Sequence, residues 1–385
     1  NVLLKSHTTL MVDKSARLVG TFNQTFALVQ AQSITNASLV GGGTLYGIAE
    51  YYIDYYDDRY KRFQPVPHSR PKVVLINESS YVLVQHVSVE NSSDWTVHIK
   101  NSDHVTMDHV NVYGDHLFPN NDGIDPDSST YVTISNCQIS VADDGVCPKA
   151  KDPSRPLRHL TVVNTTIRSR SHAIKFGSHT DADMTDILFQ NITINDSNSG
   201  LAIQQRGPGH IDRVTFRDIK VETRYDSPRW WGNGEWLAMT SEPRSDDNVV
   251  GRVSNLVFDN IKAVSENGGL LSGRGHGITN VTMTNIHVTI MAFTNYSDGS
   301  APNCSYMVDD TIVETPCMGT LDYRPSLIQG DDPNCTTFGA CRTKGRAHGL
   351  YLEHVRNAVL ANWTVEFLGD WKPWYGEGIV GSKNV

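Results

Sequence analysis

A short motif returns along the chain at nearly constant spacing, and that return limits the fold more than any other feature. It reads VTMDHV at 105, VTISNC at 132, LTVVNT at 160, ILFQNI at 187, VTFRDI at 214, LVFDNI at 256 and VTMTNI at 281. The step is 27 or 28 residues through the first five copies, then 42, then 25, and an earlier copy, VLVQHV, stands at 82. Apolar residues alternate within each copy, several copies continue with Asn or Asp, and a second alternating run such as ITIN or IKVE follows. Alternation of period two makes a strand with one buried face, and Asn, Asp or Ser between runs supplies a corner. One such unit cannot bury its own apolar face, but stacked units can, so the repeat itself is the fold.

A β-sandwich and a propeller compete with that reading. Propeller blades need about 40 residues or more for four antiparallel strands, whereas this period holds two or three short strands and suits one turn of a parallel β-helix. No segment of about 12 residues combines helical periodicity with a cap, so little helix is expected. The expectation is an all-β solenoid, a single domain over 1–385 with long loops at about 225–250 and 296–345. Such loops, projecting from a rigid scaffold, are the usual carriers of binding residues.

A net charge of -9, with no Lys/Arg-rich run, excludes an electrostatic surface for nucleic acid or anionic membrane. The apolar stretches fall short of a membrane span, so a soluble chain is expected. It starts at NVLLKSHTTL, without an initiator Met or apolar signal segment, which fits a mature or trimmed product. Twelve Asn-x-Ser/Thr sequons occur, at Asn23, Asn36, Asn77, Asn91, Asn164, Asn191, Asn195, Asn280, Asn295, Asn303, Asn334 and Asn362. Any one is cheap in an Asn-rich β protein, but together they point to a secreted, monomeric glycoprotein. The six cysteines include no CxxC pair and no zinc-finger His spacing, so structural zinc is not expected. Cys335–Cys341 brackets a short loop, and Cys137–Cys147 with Cys304–Cys317 are the simplest other disulfides, although all 15 connectivities stay open.

Two acidic clusters flank one rung. NNDGIDPDSS precedes the 132 strand and ADDG follows the run QISVA, so Asp122 lies slightly less than one turn before Asp143 and Asp144. On neighbouring rungs the three carboxylates share a face. Like-charge repulsion then keeps a proton on one while another stays ionised, the asymmetry that glycoside hydrolysis uses in its acid and its base. The competing reading is three solvated corner residues. DGIDPD also resembles a calcium loop through residues 122, 125 and 127, but it lacks the Gly and terminal Glu positions of an EF-hand, so neither metal nor cofactor is expected.

With these residues in view, the chain resembles glycoside hydrolase family 28, the polygalacturonase family of right-handed parallel β-helices, over about residues 40 to 290. The likeness rests on GGGTLYG at 41, RPKVVLIN at 71, WTVHIKNSDHVTMDHVNVYG at 95, NNDGID at 120, ADDG at 142 and SHAIKFGS at 171. The family commonly shows NTDGID, GDD and GHGxSxGS at the last three. The resemblance implies Asp143 as general acid, Asp122 and Asp144 as the pair activating water with inversion, and His172 as a hydrogen-bonding partner in that network.

Departures from the family bear on substrate. Its RIK segment, which binds galacturonate, corresponds here to GLAIQQRG, placing Ala202 and Gln204 where the Arg and Lys would stand. Losing both removes the obvious clamp for a uronate. Arg206 and Lys175 are the candidate replacements. Ser171 and Ala173 replace the glycines of GHG, which alters how closely sugar can approach the backbone. RWWGNGEW adds Trp230, Trp231 and Glu235, with Arg244 beyond; the aromatic faces suit pyranose rings and the charged groups suit hydroxyls or an acidic substituent. At least one tryptophan here is expected simply to pack the loop.

The leading expectation is therefore an extracellular glycoside hydrolase acting on a pectic or related polysaccharide (galacturonan, rhamnogalacturonan or similar), with large loops favouring exo action. A carbohydrate-binding β-helix without turnover is the second class. A polysaccharide lyase is the third; it needs a Lys or Arg base and often calcium, which a DD pair does not suggest.

Overall fold

The computed structural model describes residues 1–58, 61–226, 231–243, 249–273, 275–292, 347–369 and 375–381, with the main chain of Cys304–Val308 and Thr311–Thr315. The repeated motif stacks in register. Val82, Val105, Val132, Leu160, Ile187, Val214, Leu256 and Val281 are partners in successive turns, and two residues on so are Val84, Met107, Ile134, Val162, Phe189, Phe216, Phe258 and Met283. All are buried. Phe189, Phe216 and Phe258 stack at centroid spacings of 5.4 and 5.2 Å, placing like on like along the core. Each such side chain contributes roughly 1.5–3 kcal/mol by leaving water.

The fifth motif residue explains the Asn signal. His86, His109, Asn136, Asn164, Asn191, Asp218, Asn260 and Asn285 all have φ between 50° and 58°, the left-handed corner that Asn and Asp tolerate best among non-glycine residues. Neighbouring corners are joined by side chains: Asn191 Nδ2 donates to Asn164 Oδ1 at 2.8 Å, and Asn362 to Asn285 at 2.7 Å.

The turns form a right-handed parallel β-helix. One 16-stranded parallel sheet carries the motif. A second face runs through Val2–Leu3, Val29–Gln32, Val74–Asn77, Val97–Lys100 and Ile124–Asp127, then through His172–Gly177, Ser199–Gln205, Glu235–Ser241, Asn267–Ser272, Leu350–Glu353 and Ile379–Gly381. Its two halves are joined by isolated bridges, Ile124 to Val146 and Asp127 to Lys149 on one side of the intervening turn, Val146 to Ile174 and Ala150 to Thr180 on the other. The turn carrying Asp143 and Asp144 thus interrupts the ladder. Ala49–Tyr52, a 3₁₀ turn, is the only helix among the described residues, and an antiparallel hairpin, Ile53–Asp57 with Arg62–Pro65, leaves the solenoid beside it.

Two expectations change. Cys137 and Cys147 are both free and buried: Cys137 Sγ lies 3.2 Å from Ser135 O on one sheet, while Cys147 Sγ lies 3.3 Å from Gly177 O on the other, so no Cys137–Cys147 disulfide forms. The side chains of Cys304, Cys317, Cys335 and Cys341 lie outside the described residues. The stretch at 225–250 is not one excursion, because Glu235–Ser241 returns to the ladder as a buried strand; Trp236 is fully buried there, with Nε1 donating to Gly349 O at 3.0 Å.

Candidate active site

Parallel register places one residue per turn at the same level, two positions before each core-facing residue of the second face. Reading from Ile124, Val146, Ile174, Leu201 and Leu237 gives Asp122, Asp144, His172, Ser199 and Glu235 in consecutive turns. Main-chain bonds hold the first three level: Gly123 N–H donates to Asp144 O at 2.8 Å, and Gly145 N–H to His172 O at 2.9 Å. Both glycines are there for close approach. A Cβ on Gly123 would stand 2.4 Å from Gly145 O, and one on Gly145 2.4 Å from Ile167 Cγ2, so a side chain at either would part the turns that align the acids.

Asp143 is set by the preceding turn. Asn121, fully buried, accepts hydrogen bonds from Ala142 N–H (2.9 Å) and Asp143 N–H (3.1 Å) and donates to Asp115 O (2.9 Å). Asn120 N–H donates to Asp143 Oδ2 at 2.9 Å, and the Asp144 N–H to Asp143 Oδ1 at 3.0 Å. Burial, then the charges of Asp122 and Asp144, push the Asp143 carboxyl up to about 8.

Asp144 behaves in the opposite way. Burial alone would raise it, but Lys175 Nζ at 2.8 Å from Oδ2 and His172 Nδ1 at 3.0 Å from Oδ1 hold it well below the usual carboxylate range. Ser171 Oγ donates to the same Oδ1 at 3.1 Å. Oxygens of Asp122 and Asp144 lie within 4.8 Å of each other. A gap of that width has room for a water hydrogen-bonded to both at about 2.8 Å.

Sequence reading passed over one member of this cluster. Lys149, buried with only 4% of its side chain exposed, donates to Asp125 and, at 3.2 Å, to Asp122 Oδ2. Its ammonium therefore stands between two of the three acids of DGIDPD. The third, Asp127, takes His98 Nε2 at 3.1 Å and Lys151 N–H at 2.9 Å. Lys149 and Asp122 are 27 residues apart, one turn, so no local pattern joins them.

The candidate binding residues divide. Glu235 is buried in the same column, its carboxyl raised by burial, with Asn233 N–H donating to Oε2 at 2.6 Å. Lys175 is bound to Asp144 and is a ladder partner of the sealed Ala202, so a cation stands one turn before the position where the family carries its Arg. Gln204 is half-buried opposite Gly177, and Arg206, also half-buried, lies 3.3 Å from Glu242 O. Trp231 is exposed and meets the Arg62 guanidinium at 5.1 Å; Asn198 Nδ2 pins its carbonyl at 2.7 Å. Trp230 and Arg244 lie outside the described residues.

The family model described as Glycosyl hydrolases family 28 matches residues 3–307. The chain belongs to this family. An endo-polygalacturonase of Pectobacterium carotovorum subsp. carotovorum is 23% identical over 231 residues, 56% of this chain and 57% of that protein. A probable exopolygalacturonase B of Aspergillus niger is 23% identical over 239 residues, 57% of this chain and 53% of that one. The chain thus spans little more than half the length of the curated relatives it matches. The solved family 28 exopolygalacturonase of Yersinia enterocolitica superposes with a TM-score of 0.62 at 14% identity, over 99% of this chain and 69% of that structure. It is a likeness of fold. Among the described residues, no helix is long and apolar enough to cross a membrane.

Proposed function

We propose that this chain is a secreted glycoside hydrolase that cuts a pectic or related polysaccharide with inversion at the anomeric carbon. One arrangement carries the reading: Asp143 takes main-chain N–H donors beside two other carboxyls, while the adjacent Asp144 is paired with Lys175 and His172, which pushes the first toward holding a proton and the second toward losing it. Asp143 is the general acid for the leaving oxygen. Asp122 and Asp144 share the attacking water between them, and a positioned water, rather than a carboxylate bonding to sugar, is what inversion requires. His172 and Lys175 keep Asp144 ionised. Glu235, Gln204 and Arg206 face the sugar, and Trp231 lies beyond them.

Neither lysine suits the lyase alternative. Lys149 and Lys175 are both raised above the ordinary ammonium value: burial works against the charge, but Asp125 at the first and Asp144 at the second outweigh it, so neither is a free base. Chain-end action is favoured by the wall on one side of the column. There Phe63 N–H donates to Leu117 O at 2.8 Å, and Arg170 joins Lys61 O at 2.6 Å to Asp226 Oδ2 at 2.7 Å, tying the hairpin to two later loops.

The experiment is release of reducing ends from pectic polysaccharides by the parent and by Asp143→Asn, with proton NMR of the first-formed anomer. Inverted product from the parent and a rate lowered by orders of magnitude in the variant are expected. Retained configuration would overturn the mechanism. Glycan binding without turnover in either protein would assign the fold to recognition instead, and equal turnover in both would remove Asp143 from the reaction.

A further inference from the structure

Four buried carboxyls, of Asp122, Asp125, Asp143 and Asp144, face the buried ammonium of Lys149 and the half-buried one of Lys175. The roles above place one proton, on Asp143, and the geometry around Asp125 marks the place of a second. Asp125 is fully buried; its Oδ1 accepts from Lys149, but its Oδ2 meets no donor among the described residues. A buried carboxylate oxygen without a donor is costly, whereas a protonated one supplies its own hydrogen. The neighbouring acceptor is Asp122, which shares the Lys149 ammonium with Asp125. The indole face of Trp95 closes the pocket, with Lys149 Nζ 4.4 Å from its centroid.

We propose that Lys149 is a positioning residue that keeps Asp122 an ionised base, and that Asp125, on the same ammonium, carries the proton which Asp122 must not hold. This rests on the reading of Asp122 as part of the water-activating pair. The electrostatic directions agree: burial raises Asp125 well above the usual carboxylate range, and it raises Asp122 while Lys149 pulls that group back down. Asp144, Lys175 and Asp125 also face Asp122, and Asp143 feels its charge; Cys147 faces Lys149, and His98 approaches from the Val97–Lys100 strand. Removing the Lys149 charge raises Asp122. Because the base acts ionised, the acid limb of the rate profile then moves to higher pH.

The test is Lys149→Met, with Lys149→Gln as the variant that keeps a donor toward Asp125 while losing the charge. Expected are a fall in kcat of about 100-fold with KM little changed, from the share a positioned base contributes, and an acid limb displaced upward. Carbon-13 titration of labelled aspartate carboxyls should show the resonance that is absent from Asp122→Asn moving to higher pH in the Lys149 variants. Lys149→Cys alkylated to an aminoethyl side chain should restore the limb. A folded Lys149→Gln protein whose acid limb and Asp122 resonance stay in place overturns the proposal. Full activity in Asp122→Asn would instead overturn the hydrolytic assignment of Asp122, while the carboxyl titration still reads the effect of Lys149 upon it.

Discussion

Asn121→Ala tests whether the acid is positioned by its preceding turn. The Asn121 amide oxygen takes the N–H groups of Ala142 and Asp143, all three residues being buried, and its NH₂ donates to Asp115 O. Alanine takes the shared acceptor from two buried N–H groups, whereas Asp115 O keeps the Phe118 N–H at 3.0 Å. At about 1–3 kcal/mol for each group deprived of its partner, the turn loses roughly 2–6 kcal/mol before relaxation. Local opening of 142–145 relieves part of that loss, and the displaced Asp143 then misses the leaving oxygen. A displacement of about 1 Å is enough to cost about 100-fold. Calorimetry should show a lowered unfolding midpoint, and initial rates a kcat reduced by at least about 100-fold with KM much less affected. A variant with parental kcat and an unchanged midpoint would refute the argument that Asn121 holds the acid in place.

Three further outcomes follow from the same geometry. Activity should fall as pH rises through about 8, because Asp143 must hold a proton; its raised carboxyl also contributes stability that is complete below its unfolded value and lost as pH rises through about 8, so the unfolding midpoint measured against pH should drop over that window. Gly145→Ala, whose Cβ would stand 2.6 Å from Ala173 O, should cost about 1–3 kcal/mol of overpacking and misalign Asp144 with His172, read as lowered thermal stability together with lowered kcat. Gln204→Lys should raise kcat/KM on polygalacturonate by about tenfold or more through a charge-assisted bond, whereas Ala202→Arg, in a fully sealed position, should chiefly destabilise the fold; an unchanged substrate preference in Gln204→Lys would show that this position does not face the uronate.

The solenoid was legible because its strongest signal is local. Alternation and an Asn or Asp corner recur within six residues, and both have direct causes in the stacked core and the left-handed corner. The same corners account for part of the sequon count: Asn164, Asn191, Asn280 and Asn362 sit in side-chain ladders, where Asn is required whether or not it carries a glycan. The turn at Val355–Leu368 escaped notice because it follows its partner by 77 residues, so the period was lost although the register resumes. In the site, Asp122, Asp143 and Asp144 could be found because their spacing is close to the period, and His172 through the family resemblance. Lys149 and Asn121 could not. Each stands about one turn from the group it holds, 27 and 22 residues away, but a lone Lys or Asn carries no chemical signal of its own, and only the three-dimensional register shows its partner.

The central claim is that Asp143 is protonated beside an ionised Asp144. Infrared difference spectroscopy of the parent against Asp143→Asn at about pH 6, well above the ordinary aspartate value, measures this directly. The account predicts a protonated-carboxyl band in the parent that Asp143→Asn removes and that titrates away toward about pH 8. A parent spectrum with no such band, or one that Asp143→Asn leaves intact, would contradict it.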